Sequence, residues 1–245
     1  MPVYRIGLEK RFPPVRHAEN GLLAYGGDLS VERLLLAYRQ GIFPWYSEGD
    51  PILWWAPEER MIILPPEIHI SRRLARILRQ NHWEVKADTC FDCVIQCCAS
   101  APRKDEGGTW ILPEMQQAYG ELHRKGYAHS IELFNCGALV GGLYGVSLGG
   151  VFFGESMFSR ESNASKVCLA VLARQCERWN MDMIDCQLWT EHLASMGARL
   201  VMRATFMGAL RMALKRPTRR GAWTLDGDIL AACATRRQTR LGGTK

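Results

Sequence analysis

The sequence lacks the short motifs that mark several common enzyme sites. It has no phosphate-binding Gly-x-x-x-x-Gly-Lys loop, no dinucleotide-binding Gly-x-Gly-x-x-Gly turn and no His-Glu-x-x-His metal site. It therefore gives no support to nucleotide hydrolysis on such a loop, to dinucleotide-dependent hydride transfer or to metallopeptidase chemistry.

We expect neither an export leader nor a paired set of cysteines in this chain. Residues 1–20 contain no apolar run long enough for a signal peptide. The uncharged stretch at 133–154 contains seven glycines, several at turn positions, which favours short strands over a membrane helix. The nine cysteines are an odd number. We therefore expect reduced thiols, a cytoplasmic protein and no membrane partner.

Four of the cysteines form a cluster, at Cys90, Cys93, Cys97 and Cys98. A zinc site usually needs two separated pairs of ligands, whereas this cluster has helical spacing. We expect small side chains on the buried face of a helix, and no metal or other cofactor is indicated.

The composition is that of an ordinary globular protein with a surplus of positive charge. A chain of 245 residues with 47% hydrophobic and 23% charged residues can bury a core without disulfides. The 31 Lys and Arg outnumber the 25 Asp and Glu, which gives a net charge of +6. This charge favours an acidic partner such as nucleic acid, and a slightly basic protein without such a partner is the alternative.

The pattern of turns and apolar residues predicts an α+β protein in three parts. Residues 1–60 would form a small N-terminal α+β domain, rich in aromatic residues, glycine and proline, with little regular sheet. Residues 61–234 would form a larger domain that begins with a helix at 68–80, and residues 235–245 a frayed basic tail.

A strand–helix–strand unit is the clearest element of the larger domain. Three strands are predicted at 130–134, 138–147 and 151–158, followed by a helix at 163–179 and a strand at 183–188. Connections between parallel strands are almost always right-handed, so the strands at 151–158 and 183–188 should be parallel neighbours.

Polar residues on these two strands are candidates for a site. Glu155 lies near the end of one strand, and Asp185 and Gln187 lie on the next, where open α/β sheets bind ligands. Strand periodicity puts Asp185 and Gln187 on one face, and a buried aspartate needs a partner such as that amide. Ion pairing of Glu155 and a structural hydrogen bond of Asp185 are the alternatives.

Tryptophans near the N-terminus are a second candidate feature. Exposed tryptophans beside arginines suit stacking on the bases of single-stranded nucleic acid. Tryptophan is mostly buried in proteins, so some of these rings should belong to the core. The set consists of Trp45, Trp54, Trp55 and Trp110, with Tyr46.

Together these stretches resemble the leucyl/phenylalanyl-tRNA–protein transferase family. The resemblance includes Gly-Asp-Leu-Ser at 27–30, Gly-Ile-Phe-Pro-Trp at 41–45, Gly-Glu-Ser-Met-Phe-Ser-Arg at 154–160 and Ile-Asp-Cys-Gln at 184–187. Further matching stretches lie at 20–24, 49–55, 108–111, 128–132, 141–145 and 163–166, so the resemblance covers residues 20–200 in order.

The resemblance implies a fold and an activity. The fold would be a small N-terminal domain on a C-terminal domain of acetyltransferase type (GNAT-like), with a mixed sheet and flanking helices. The activity would be transfer of Leu or Phe, and less well Met, from aminoacyl-tRNA to the α-amino group of proteins that begin with Arg or Lys. The product would carry an N-end rule degradation signal. No cofactor is implied, because the aminoacyl ester is already activated.

The resemblance also implies roles for single residues. Asp185 and Gln187 would be the catalytic pair, with Asp185 polarising the Gln187 amide, and Glu155 would orient an amine. The aminoacyl group and its adenosine would contact Trp45, Trp110, Tyr119, Leu143, Phe152, Met157, Leu169, Leu172 and Ile184. The tRNA phosphates would meet Arg72, Arg73, Arg76 and Arg79, for which a solvated helix face is the alternative.

Two other classes of protein are the alternatives to this family. A coenzyme A-dependent acetyltransferase usually has a glycine-containing turn before the helix, and the sequence at 159–164, Ser-Arg-Glu-Ser-Asn-Ala, has no glycine. A non-catalytic RNA-binding module would not need Asp185 and Gln187 together.

Overall fold

The N-terminal part of the chain folds around a small sheet. The computed structural model describes residues 3–80, 82–101 and 109–235. The strand order is β1-β2-β4-β3, and the strands are Tyr4–Ile6 (β1), Leu22–Gly26 (β2), Phe43–Pro44 (β3) and Leu53–Trp55 (β4). These strands have only two to five residues, in keeping with the expectation of little regular sheet, and are too short to give a clear alternating pattern in the sequence. A helix, Val31–Arg39 (α1), connects β2 to β3.

The larger sheet has seven strands in the order β11-β5-β10-β9-β8-β7-β6. They are Glu59–Ile63 (β5), Trp83–Ala87 (β6), Ala128–Asn135 (β7), Ala138–Leu148 (β8), Val151–Ser159 (β9), Met183–Gln187 (β10) and Arg199–Met202 (β11). β9 and β10 are parallel neighbours, as the sequence predicts, and the other pairs are antiparallel. β5 and β11 are not among the predicted strands, and the predicted domain boundary at residue 60 falls inside β5.

Helices cover both faces of the larger sheet. They are Arg72–Gln80 (α2), Phe91–Ala99 (α3), Pro113–Arg124 (α4), Ala164–Arg178 (α5), Glu191–Ser195 (α6), Arg203–Ala213 (α7) and Ile229–Ala234 (α8). One hydrophobic cluster contains side chains of α2, α5 and α8, and the other contains side chains of α3, α4, α7 and the N-terminal part. The consecutive residues Phe152 and Phe153 point into different clusters, so β9 is apolar on both faces.

Two helix expectations need correction. α2 begins at Arg72 rather than at residue 68, because Pro65–Glu67 forms a 3₁₀ turn and the Ser71 hydroxyl accepts the Leu74 N–H at 3.1 Å. The buried face of α3 consists of Phe91, Val94, Ile95 and Cys98. Cys93 is exposed and Cys97 is half-buried, so the cysteines do not form a buried stripe.

Apart from Thr235, the predicted basic tail at 235–245 lies outside the described residues. In the ranges that are described, every helix is too short or too polar to cross a bilayer.

The ladder between β9 and β10 is short, and this creates the site. Its last paired residues are Phe153 and Asp185, although β9 continues to Ser159. Gln187 instead pairs with Met61 of β5, after an irregularity in the register. The two strands therefore part directly beyond Asp185 and leave a gap in the sheet.

The two hairpin turns on either side of β8 give a matched test of the packing. Gly149 and Gly137 both have positive φ, at +56° and +79°. A Cβ on Gly149 would lie 2.5 Å from the Ala213 carbonyl oxygen of α7, whereas a Cβ on Gly137 would meet nothing within 4 Å. Gly137→Ala should lower the free energy of unfolding by about 1–2 kcal/mol through backbone strain alone. Gly149→Ala should lower it by a further ~1–3 kcal/mol through overpacking.

Urea unfolding of both variants, followed by circular dichroism, measures this difference. Equal losses in the two variants would contradict the close packing of the β8–β9 turn against α7.

Candidate active site

A cavity of about 680 Å³ occupies the gap between β9 and β10. Its wall contains most of the residues that the family resemblance implies for substrate binding, namely Trp45, Trp110, Leu143, Phe152, Met157, Leu169, Leu172 and Ile184. Glu155 and Gln187 lie on the same wall. The structure therefore brings these ten residues together from four separate elements, β8, β9, α5 and β10, and from two loops.

One end of the cavity is apolar. Leu143 comes from β8, Phe152 from β9 and Ile184 from β10, while Leu169 and Leu172 come from α5. All five side chains are at least 97% buried. Such a surface favours an aliphatic or aromatic side chain and disfavours a polar one, which would lose its hydration without gaining partners.

Tryptophans have three different environments. Trp45 is 41% exposed and lines the cavity after β3, and its ring lies 5.5 Å from that of Trp55. Trp54 is fully buried and donates its indole N–H to the Gly26 carbonyl at 2.9 Å, so it is a core residue. Trp110 is half-buried and lines the cavity. Of these four tryptophans, Trp45 and Trp110 are therefore the two that could contact a ligand in the cavity.

Glu155 is the acidic group on the cavity wall, and three groups donate hydrogen bonds to it. The Tyr38 hydroxyl and the Gln187 Nε2 donate to its Oε1 at 2.8 and 2.9 Å, and the Tyr119 hydroxyl donates to its Oε2 at 2.8 Å. Burial raises the pKa of Glu155 to about 7, against the opposing effect of these donors, and the charge of Asp185 raises it further. The group therefore titrates close to neutral pH.

Tyr119 has a different place from the one that the resemblance implies. Its side chain is fully buried and is absent from the described residues that line the cavity. It lies behind Glu155 and contacts Tyr38 of α1, with 2.5 Å between the two hydroxyl oxygens. Burial, and next the charge of Glu155, raise the pKa of both tyrosines, so both hydroxyls keep their protons.

Asp185 forms a buried ion pair with Arg60, a residue that the sequence analysis did not identify. The Arg60 Nε donates to Asp185 Oδ1 at 2.9 Å and the Nη2 to Oδ2 at 2.7 Å. Both side chains are almost completely buried. The guanidinium also donates to the Gly41 carbonyl and lies between the rings of Phe43 and Phe206, 4.6 and 4.8 Å from their centres.

Gln187 has an unusual backbone conformation that corrects the predicted contact with Asp185. Its φ is +62°, a left-handed value that non-glycine residues rarely adopt. Its backbone N–H donates to Asp185 Oδ1 at 2.9 Å, while its side-chain amide bonds to Glu155 instead. Asp185 therefore holds the Gln187 backbone rather than polarising its amide, because the irregularity breaks the simple alternation of the strand.

The four arginines of α2 lie outside the cavity wall. Arg72, Arg73 and Arg76 are exposed, whereas Arg79 donates to the Ala234 carbonyl of α8 at 3.3 Å. Leu74 and Leu78 turn the opposite face of the helix into the core.

Comparison with known proteins identifies the family. A model described as leucyl/phenylalanyl-tRNA protein transferase matches residues 62–211, and one described as the N-terminal domain of that transferase matches residues 27–58. The chain belongs to the leucyl/phenylalanyl-tRNA–protein transferase family. This confirms the resemblance seen in the sequence, and it means that the chain belongs to a family of aminoacyltransferase enzymes.

Individual members of the transferase family match nearly the whole chain. A leucyl/phenylalanyl-tRNA–protein transferase of Syntrophus aciditrophicus is 56% identical over 91% of this chain and 94% of its own length. One from Anaeromyxobacter is 53% identical over 93% of this chain and 98% of its own length. One from Nitrosospira multiformis is 53% identical over 89% and 94%. The similarity thus includes the N-terminal part that supplies Tyr38 and Trp45.

Two other candidate sites can be set aside in this transferase-family chain. Within residues 3–80, 82–101 and 109–235, no three His, Cys, Asp or Glu side chains are placed to hold a metal ion. The string Gly-Val-Ser-Leu-Gly at 145–149 has the spacing of a hydrolase nucleophile turn. However, Ser147 is fully buried inside β8, and not at a sharp strand-to-helix turn.

The high pKa of Glu155 has a consequence for stability. Its pKa is about 7 in the folded protein against 4.5 for a free carboxyl, so the folded state binds more protons between these pH values. The free energy of unfolding should therefore fall as pH rises from 5 to 8, relative to Glu155→Gln, by roughly 1–3 kcal/mol.

Urea unfolding of the two proteins at pH 5, 6, 7 and 8 measures this effect. Glu48→Gln, at an exposed carboxyl, is the control for expression and for the unfolding measurement. If the free energy of unfolding of the wild type instead rises with pH relative to that of Glu155→Gln, the folded protein stabilises Glu155 as the anion.

Proposed function

We propose that this protein transfers Leu or Phe, and less well Met, from aminoacyl-tRNA to the α-amino group of proteins whose first residue is Arg or Lys. The single observation that supports this most directly is the cavity, which joins an apolar end to an exposed tryptophan and to the Glu155–Gln187 pair. The names of the relatives support the same reaction. The product would carry an N-end rule degradation signal.

The apolar end would hold the aminoacyl side chain. Burying a Leu or Phe side chain there gains about 1.5–3 kcal/mol, and a charged side chain would be rejected by its desolvation. Trp45 and Trp110 would contact the terminal adenosine, because a flat ring at a cavity mouth can stack on a base.

Catalysis would depend on positioning. The ion pair with Arg60 fixes Asp185, and Asp185 fixes the Gln187 backbone, so the Gln187 amide is held at Glu155. Among the described residues no group donates to the Gln187 amide oxygen, which is therefore available to accept a hydrogen bond from an attacking amine. Glu155 would orient that amine. A held acceptor of this kind assists the reaction through proximity and electrostatics.

We further propose the finer classification of the fold and location. The antiparallel meander β7–β8–β9, followed by α5 and the parallel strand β10, supports an acetyltransferase-type (GNAT-like) domain over residues 61–234, with the small domain at 1–60 beside it. The gap beyond Asp185 would hold the aminoacyl group in place of a cofactor. The reaction needs no cofactor, since the ester is already activated, and its tRNA substrate implies a cytoplasmic location.

Transfer of labelled Leu from Leu-tRNA to a peptide that begins with Arg tests the proposal. The label should become acid-stable on the peptide without coenzyme A or ATP, and a peptide beginning with acetyl-Arg should receive none. A coenzyme A-dependent acetyltransferase or a non-catalytic RNA-binding module would leave the peptide unlabelled.

The catalytic pair gives a sharper prediction. Gln187→Ala removes the held amide and leaves the Arg60–Asp185 ion pair in place. We expect kcat to fall about 10²-fold with KM for aminoacyl-tRNA nearly unchanged, as for the loss of one preorganised polar group. Gln96→Ala, at an exposed position on α3, is the control for expression and assay.

Asp185→Asn should lower kcat similarly, and it should also destabilise the fold because Arg60 loses its buried partner. Combined with Gln187→Ala it should be little worse in kcat than either change alone, since the residues act as one unit. A near-normal kcat in Gln187→Ala would show that Gln187 has no role in catalysis.

The arginines of α2 would bind tRNA phosphates. Reversing Arg72 and Arg76 to Glu should raise KM for aminoacyl-tRNA and make it less dependent on salt, because fewer counterions are released. Reversal of the exposed Arg211 and Lys215 to Glu, at the C-terminal end of α7, is the matched control for the change in net charge. If KM for aminoacyl-tRNA and its dependence on salt concentration are unchanged in the double variant, the α2 arginines do not bind tRNA and only form a solvated surface.

A further inference from the structure

Three oxygen-bearing side chains meet behind the cavity wall and contact one another in a triangle. Tyr38 of α1 lies 2.8 Å from Glu155 Oε1, Tyr119 of α4 lies 2.8 Å from Glu155 Oε2, and the two tyrosine hydroxyls are 2.5 Å apart. Both tyrosines are completely buried. Each side of the triangle is short enough to be a hydrogen bond and therefore requires one proton.

The number of protons decides which form of Glu155 suits this triangle. Each tyrosine hydroxyl supplies one proton, and an ionised carboxylate supplies none. When Glu155 is ionised, only two protons are available for the three oxygen–oxygen contacts, so one pair of oxygen atoms is in contact without a hydrogen bond. When Glu155 is protonated, three protons are available and all three contacts can be hydrogen bonds.

We propose that Tyr38, Tyr119 and Glu155 form a hydrogen-bonded ring that is complete only when Glu155 is protonated, and that this ring takes up the proton that the acceptor amine must lose. Tyr38 and Tyr119 are positioning residues in this scheme, since they act through Glu155. The ring itself stands on the geometry, whereas the identity of the proton donor rests on the function proposed above.

The hydrogen bonds also indicate where the added proton lies. Glu155 Oε1 already accepts from Gln187 Nε2 at 2.9 Å and from Tyr38. The added proton is therefore placed on Oε2, which then donates to Tyr119. Tyr119 in turn donates to Tyr38, and Tyr38 donates to Oε1, so the ring closes in one direction.

The charged and titratable groups around the ring favour uptake of a proton by Glu155. Asp185 of β10 is negative and is paired with Arg60 of β5. Tyr144 of β8 packs edge-on against Tyr119, with ring centres 5.6 Å apart. His192 lines the cavity, and burial, followed by the charge of Lys166, lowers its pKa. The negative charge of Asp185 thus favours the protonated form of Glu155.

The proton balance of the reaction requires such an acceptor. An α-amino group is largely an ammonium ion at neutral pH, and only its neutral form has the electron pair for attack. The ionised Glu155 takes one proton from the ammonium and becomes the neutral acid, which completes the ring. The amine then attacks the ester carbonyl, the new C–N bond forms and the C–O bond to ribose breaks. Of the two protons then on nitrogen, one stays as the amide N–H and the other passes to the ribose oxygen, and Glu155 afterwards releases its proton to solvent.

The ring predicts an unusual sign for the effect of removing a tyrosine hydroxyl. A hydroxyl that simply donates to a carboxylate stabilises the anion, so Tyr38→Phe would then raise the pKa of Glu155. In the ring, the protonated form loses two of its three contacts and the anion loses only one. Tyr38→Phe should therefore lower the pKa of Glu155, by about 0.5–1 unit for one hydrogen bond.

The experiment is an infrared titration of the protonated carboxyl band of the free protein between pH 5 and 9. The band of Glu155 is identified as the one that disappears in Glu155→Gln. Its midpoint is then compared in the wild type, in Tyr38→Phe and in Tyr119→Phe. Tyr46→Phe is the matched control, because this tyrosine donates to Glu114 outside the ring.

A midpoint near neutral pH in the wild type, shifted downward by both ring variants and unchanged in Tyr46→Phe, supports the ring. An upward shift or no shift in Tyr38→Phe and Tyr119→Phe overturns it. Circular dichroism at each pH verifies that the variants are folded. Because the titration needs no tRNA, this result is independent of the transfer assay.

Uptake of the amine proton is tested by the pH dependence of kcat/KM for the Arg peptide. In the wild type the rate should fall on the acid side as Glu155 becomes protonated, and the midpoint of this fall should move downward in Tyr38→Phe by the same amount as the infrared midpoint. An acid limb that stays in place while the infrared midpoint moves would leave the ring intact and overturn its part in the reaction. Absence of transfer by the wild type would overturn the proposed function and, with it, this use of the ring.

Discussion

The buried ion pair between Arg60 and Asp185 is the interaction on which the rest of the site depends. Two charges without access to water are tolerable only when each satisfies the other, so this pair fixes the distance between β5 and β10. Arg60 also binds the carbonyl that follows α1 and lies between Phe43 and Phe206, so the N-terminal part and α7 converge on it. Asp185 also accepts a hydrogen bond from the Gln187 backbone N–H, and the Gln187 side-chain amide donates one to Glu155. The positions of Gln187 and Glu155 therefore also depend on the ion pair.

The elements that follow from local pattern were predictable from the sequence. β9, α5 and β10 have long apolar runs bounded by turns, and the handedness of such units leaves one arrangement, which the structure confirms. The apolar residues of the cavity were identified through family resemblance, and Leu143, Phe152 and Ile184 do line it. A pattern of apolar residues does not by itself distinguish a cavity wall from a core, because both are buried.

The polar half of the site was less predictable, because it depends on contacts between distant residues. Arg60 and Asp185 are 125 residues apart, and Tyr38 and Glu155 are 117 apart. Arg60 stands beside two glutamates in the sequence, which suggests a surface position rather than a buried one. The sequence likewise gives no signal for the left-handed backbone conformation of Gln187, because glutamine has no preference for it. A charged residue directly before the apolar run at 61–63 was the one available signal for Arg60.

Because Tyr38 lies on α1, the site could be disrupted while the larger sheet stays folded. α1 belongs to the part of the chain built on four very short strands, which have few backbone hydrogen bonds to hold them. Local opening of this part would withdraw Tyr38 from Glu155 and Gly41 from Arg60, while the longer ladders of the seven-stranded sheet could stay paired. We therefore expect enzymatic competence to have a narrower thermal range than the secondary structure of the larger sheet.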